Sequence, residues 1–203
     1  MELHVKRLDA EMRPADGERE VAAKISTTAV ERDGDVVLPS GVDLTNFNKN
    51  PIVLFAHDSH TFPVGKALNI KKTRSGLIVK YVLNERPPSL PPEQEFIPDT
   101  LLHMLKAGTI SGHSIGFTIK EDGIREATEK DREDFGKSVE AVITAWELLE
   151  FSIVPLPSNQ DALAIAVSKG ICSASFATTL GWVEKPKPTL SLKRRLQCKL
   201  YAS

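Results

Sequence analysis

The stretch that most constrains the fold is residues 109–120. Ile115, Phe117 and Ile119 are apolar there, and they alternate with Ser114, Gly116 and Thr118, which are small or hydroxylated. Successive side chains of a strand point to opposite faces. This pattern therefore predicts a strand with one packed face and one face that presents the Ser114 hydroxyl beside Gly112 and Gly116. A glycine inside a strand marks a place where another backbone or a ligand comes close. Two readings follow: an exposed nucleophile with a peptide lying across it, or a bent barrel strand.

The chain has 203 residues, enough for one sizeable domain with a tail. Its net charge of −1 gives no global electrostatic case for nucleic acid or a membrane. Charge is nevertheless unevenly spread. Residues 169–203 carry seven lysines and arginines against Glu184 alone, a balance of +6 that leaves −7 on residues 1–168. With Pro186 and Pro188 interrupting it, 169–203 reads as a basic, loosely attached tail with one short helix near 190–200. The preceding 1–168 is the expected folded domain. Cys172 and Cys198 stand outside any metal-type spacing, which points to a reducing compartment without disulfides or a zinc knuckle. The first residues lack an apolar signal core and no apolar run approaches membrane length, so a soluble, intracellular protein is expected.

Along the chain, β-forming runs alternate with turn signals. Strands are expected before the turn at 14–17, over 20–29 and after Asp33-Gly34. The Asn50-Pro51 step forces an extended start to the apolar run 52–55. A hairpin is expected over 66–72 and 77–83, turning at Thr73-Arg74-Ser75-Gly76. Four prolines between 87 and 92 then precede a helix over 93–107, with Leu101, Leu102, Met104 and Leu105 on its apolar face and Gly108 at its end. Residues 121–137 read as a solvated loop or weak helix, and 138–149 return to strand character. In 149–153, Leu149, Phe151 and Ile153 share the packed face, and Glu150 and Ser152 point the other way. Residues 161–167 look like the start of a helix.

Three side chains carry chemistry. His57 follows the buried run 52–55 and is placed for acid–base work, held rigidly yet near solvent. A structural histidine, or a metal site with Asp58 and His60, are the alternatives, although the chain has no HExxH-type ligand set. Acyl transfer needs a nucleophile, a base, a group to hold the base, and oxyanion donors. Ser114, His57 and Glu150 supply the first three. A triad is recognised by geometry, so their wide separation in sequence is no objection. No GxSxG elbow is present.

Five pieces in order resemble the tailed-bacteriophage prohead maturation proteases, a family similar to the herpesvirus assembly proteases. They are Asp33-Gly34-Asp35-Val36-Val37 with Gly41; Asn50-Pro51-Ile52-Val53-Leu54-Phe55-Ala56-His57-Asp58; Pro63-Val64-Gly65-Lys66; Ser114-Ile115-Gly116-Phe117; and Glu150-Phe151-Ser152-Ile153-Val154-Pro155-Leu156-Pro157. The resemblance implies an α+β fold: a closed or nearly closed antiparallel β-barrel flanked by a few helices. It implies a serine endopeptidase with His57 as base and Ser114 as nucleophile, needing no cofactor and no metal. The herpesvirus enzymes use a second histidine after the serine. No histidine follows His113 here, so Glu150 is the expected third member. His113, as the strand neighbour of Ser114, faces the other way. The expected partners are scaffold and major capsid protein segments as substrates, the chain itself through self-cleavage, and further copies within the prohead. The expected location is the host cytoplasm and then the immature shell. The contrasting expectation is a non-catalytic β-barrel scaffolding or virion component of the same fold.

Overall fold

The computed structural model describes residues 18–167. The tail 169–203, its expected helix and the first expected strand lie outside the described residues. The described fold is mixed α+β, mostly sheet with few helices.

Eleven short strands run in chain order among the described residues: β1 (Glu20–Thr27), β2 (Asp35–Val37), β3 (Val42–Asp43), β4 (Ile52–Phe55), β5 (Gly65–Lys72), β6 (Gly76–Leu83), β7 (His113–Ile119), β8 (Ile124–Glu126), β9 (Ala141–Ile143), β10 (Trp146–Ile153) and β11 (Ala164–Val167). Among the described residues the α-helices are α1 (Ile97–Ala107) and α2 (Glu129–Phe135), with short 3-10 turns at Pro39–Gly41 and Phe47–Lys49. The main sheet runs β11-β1-β6-β5-β4-β10-β3, with β7 also paired to β10. A small sheet, β2-β9-β8, has its own core of Val36, Ala127, Val139 and Val142.

Strand β10 is the keel. Strand β7 lies antiparallel along its whole length, while β3 and β4 pair with its two ends in parallel. Trp146 at its start is fully buried and donates its indole N–H to the Leu38 carbonyl (2.9 Å). Phe151 and Ile153 enter the same core as Val53, Tyr81 and Leu83. The register slips between Leu148 and Glu150, a bulge that adds one residue to β10. Trp146 and Leu148 therefore point inward on one side of it, and Phe151 and Ile153 on the other. Leu149 is left 53% exposed instead of joining the packed face.

A closed or nearly closed antiparallel barrel is the expectation, and no closed barrel is found. Strand β11 ladders with β1, and between β7 and the start of β11 there is only an isolated bridge, Gly112 to Leu163. Pairing is also mixed. Strand β10 is reached long after β3 and β4, so no hairpin obliges it to run antiparallel to them.

Three other elements differ from expectation. The expected helix at 161–167 is not formed, and its residues 164–167 make β11, because Asn159 is buried and bonded to Thr27 (Thr27 Oγ1 to Oδ1, 2.9 Å; Nδ2 to the Thr27 carbonyl, 3.2 Å), which delivers them to the edge of β1. Helix α1 begins at Ile97, with Pro98 in its first turn where a missing N–H does no harm. Its buried stripe is Pro98, Leu101, Leu102 and Leu105, and Met104 falls outside it. Residues 124–135 form β8 and a capped α2. There the Thr128–Asp131 capping box and the bidentate Arg125–Asp131 pair (2.6 and 2.9 Å) order a charged segment.

Candidate active site

Three neighbouring strands, β4, β10 and β7, each contribute one chemically distinctive group. Strand β4 ends at Phe55, and the Ala56 N–H still reaches the Ile153 carbonyl (2.9 Å). The chain then reverses, with the Asp58 N–H returning to the Phe55 carbonyl (3.1 Å). Both central residues of this turn have positive φ, +54° at Ala56 and +59° at His57. For side-chain-bearing residues that conformation costs about 1–2 kcal/mol each, and such strain persists where the surroundings over-determine it. Here the surroundings are visible: the His57 backbone N–H donates to Ser152 Oγ (3.1 Å).

Glu150 sits at the bulge of β10. Its Oε1 accepts from His57 Nδ1 at 2.7 Å, and its Oε2 accepts from Ser152 Oγ at 2.8 Å. Imidazole, carboxylate, hydroxyl and backbone amide thus close a ring of three hydrogen bonds. A carboxylate only accepts, so Nδ1 carries the proton and neutral His57 has its lone pair on Nε2. The Glu150 hydrogen bond raises the His57 pKa above its ordinary value. Partial burial opposes this and the Glu150 charge reinforces it. The carboxylate has room because residue 116, its register partner on β7, is glycine; a Cβ there would run into Oε1.

Ser114 lies on β7 directly opposite Ser152 and is half-buried. Residues facing one another across an antiparallel pair project from the same side. The Ser114 hydroxyl therefore shares a face with Ser152 and Glu150. His113 belongs to the other face. It is fully buried, with Nδ1 donating to the Ser111 carbonyl (3.0 Å) and Nε2 accepting from the Tyr81 hydroxyl (2.8 Å). Burial lowers its pKa to about 4, so it stays neutral.

The structure thus joins His57 to Glu150 directly and sets Ser114 on the neighbouring strand of the same face. Alternation sets Ser152 on the face of Glu150 but gives it no role, and its bridging of Glu150 and the His57 amide is visible only in the structure. The usable signal was the Glu-x-Ser spacing, which puts two polar groups on one face of an otherwise buried strand. Asp58 is engaged locally, its Oδ1 accepting from the His60 N–H (2.9 Å). Among the described residues no three His, Cys, Asp or Glu side chains are grouped to hold a metal. Arg32, the residue just before the first of the five sequence pieces, donates from Nε to the carbonyl of Pro157 at the end of the last (3.0 Å).

Residues 21–175 match the caudovirus prohead serine protease family. The chain belongs to this family. The protease is 31% identical over 166 residues to a prohead protease of Escherichia phage T5, covering 80% of this chain and 68% of that one. It is 30% identical over 167 residues to a capsid polyprotein of Pseudomonas phage PAJU2, covering 81% of this chain and 21% of the polyprotein. A crystal structure of KSHV protease in complex with a hexapeptide phosphonate inhibitor aligns with a TM-score of 0.39 at 12% identity, over 89% of this chain and 86% of that one. That likeness is too loose to bear on the site. Family membership makes the chain a serine protease of phage capsid maturation, acting within the prohead. The resemblance read from the five sequence pieces is borne out. No helix among the described residues is long and apolar enough to cross a membrane.

Proposed function

We propose that this protease is a serine endopeptidase using Ser114, His57 and Glu150, and that it cuts capsid-protein and scaffold segments and itself. His57 Nε2 takes the Ser114 proton as Oγ bonds to the carbonyl carbon of the substrate. The tetrahedral adduct collapses as the C–N bond breaks, and the imidazolium hands that proton to the departing amine. A water then attacks the acyl-enzyme, leaving its proton on His57, and Ser114 departs with that proton as the acid is released. Glu150 holds the Nδ1–H tautomer and stabilises the imidazolium. Ser152 holds both Glu150 and the His57 backbone, and acts as a positioning residue.

The observation that carries this reading is the His57–Glu150–Ser152 ring with Ser114 facing Ser152 across the β10–β7 ladder. The protease would be made in the host cytoplasm and enclosed with further copies in the immature shell. Its basic segment 169–203 is a candidate for self-removal or for targeting to the shell.

Co-expression with the neighbouring major capsid protein, followed by intact-mass analysis, tests the proposal. Wild type should shorten the capsid protein or its own tail, and Ser114→Ala should do neither. Cleavage surviving in Ser114→Ala would remove Ser114 from the mechanism. No cleavage by wild type under shell-forming conditions would point instead to the non-catalytic scaffolding role.

A further inference from the structure

A preformed cleft of about 500 Å³ opens beside the His57 turn, walled largely by Phe55, Phe62, Val64, Phe96 and Ile97. It begins at the two residues that bracket the turn, Phe55 and Asp58. Its walls are tied together by hydrogen bonds within the chain. Asn84 Nδ2 donates to the Pro63 carbonyl (2.7 Å), and the Asn84 N–H to the Val64 carbonyl (2.9 Å), which ties the segment after His57 to the end of β6. Behind the far wall the Arg86 guanidinium lies 5.4 Å from the centre of the Phe96 ring. Arg86 is itself pinned by Asp99 (2.9 Å) and by the Pro91 and Gln94 carbonyls (3.0 and 2.9 Å). These bonds gather the segment that leads into Phe96 around one arginine behind the wall.

Two features of the cleft call for an occupant. Phe62 at its rim is 94% exposed and Ile97 is 43% exposed, so apolar surface faces water beside the base. The titratable side chains on the lining are both acidic, Asp58 and Glu95, and no lysine or arginine lines it among the described residues. Arg86, the cation packed behind Phe96, is already held by Asp99. A wall that is apolar within and acidic at the rim complements a bulky apolar side chain next to a basic one.

We propose that this cleft is a substrate subsite that takes a bulky apolar residue adjoined by a lysine or arginine, close to the cleaved bond. Phe62 and Glu95 are its specificity-determining residues. The proposal rests on the reading of His57 as the base, because it is the base's position that puts the cleft in the path of a bound peptide. The base serves both the nucleophile and the leaving amine, so substrate must pass it.

The test separates binding from catalysis. The full chain carrying Ser114→Ala is titrated with acetyl-Ala-Phe-Lys-Ala-amide and, as a control, acetyl-Ala-Gly-Ser-Ala-amide, following the amide resonances of Thr61, Asn84 and Ile97. The Phe-Lys peptide should shift them and the control should not. Glu95→Lys or Phe62→Ala, both at exposed positions, should weaken that binding about fivefold or more. In parallel, wild-type digestion of a mixed peptide library should show an apolar–basic pair at a fixed distance from the cut. Glu95→Lys should lose the basic preference while still cutting. Equal shifts by both peptides, no shifts, or an unchanged library profile in Glu95→Lys would overturn the subsite. Library cleavage persisting in Ser114→Ala would overturn the nucleophile assignment and leave the binding result standing.

Discussion

His57 and His113 lie in two regions that put one residue type to opposite uses. His57 stands at the open end of β4, its side chain 41% exposed, with a carboxylate on Nδ1. His113 is sealed in the sheet centre between a backbone carbonyl and a tyrosine hydroxyl. The carboxylate raises the pKa of the first, and burial lowers that of the second to about 4. Strand alternation separates them: His113 and Ser114 are sequence neighbours on opposite faces of β7. A histidine's neighbours and exposure, more than its distance from the serine along the chain, decide whether it can move a proton.

Each prediction probes that contrast, beginning with the largest effect. His57→Ala should lower kcat roughly 10⁴- to 10⁶-fold with the thermal midpoint nearly unchanged. Loss of the fold instead would make His57 structural. Glu150→Gln keeps the shape and removes the charge, and should lower kcat/KM about 10²- to 10⁴-fold. Its pH profile carries the sharper signal. Protonated His57 cannot accept the serine proton, and Glu150 raises the pKa of the His57 imidazolium. The acid limb of wild-type kcat/KM should therefore lie above the ordinary histidine range and move to lower pH in Glu150→Gln. An unmoved limb would break the link between Glu150 and the base.

Ser152→Ala frees one carboxylate oxygen and the His57 amide, and should lower kcat about tenfold while moving the acid limb the same way. Ser152→Thr, which keeps the hydroxyl, should recover part of both. A lower melting temperature with neither kinetic change would reduce Ser152 to a packing role. On the buried side, Tyr81→Phe leaves His113 Nε2 without its donor and should cost about 1–3 kcal/mol in denaturant unfolding. Activity per folded molecule should not change. A kinetic effect as large as that of Glu150→Gln would bring His113 into the mechanism.

Local pattern made part of this legible and long-range pairing supplied the rest. Proline at 51 and the apolar run after it announced β4, and Thr73 to Gly76 announced the β5–β6 hairpin. Both are local devices that act within a few residues. Glu150 and Ser152 were read onto the face away from Phe151 because alternation holds over that short span. Alternation misplaces Leu149 because a bulge is written in the partner strand's register and leaves no mark on the local pattern. At 161–167 the local pattern favours a helix although Ala-Leu-Ala-Ile-Ala-Val suits either state, and the bonds from Asn159 to Thr27 decide it. The parallel seating of β3 and β4 on β10, and with it the meeting of His57 and Glu150, lies between segments about 100 residues apart. No spacing rule reaches that far, and the resemblance supplied the expectation in its place.

The most direct measurement of the central claim is intact-mass and peptide mapping after treatment with an organofluorophosphonate, which transfers phosphorus to an activated serine with loss of fluoride. The account predicts one adduct, on Ser114, that disappears in His57→Ala and forms more slowly in Glu150→Gln. An adduct on Ser152 or another serine, or equal labelling of Ser114 without His57, would contradict it.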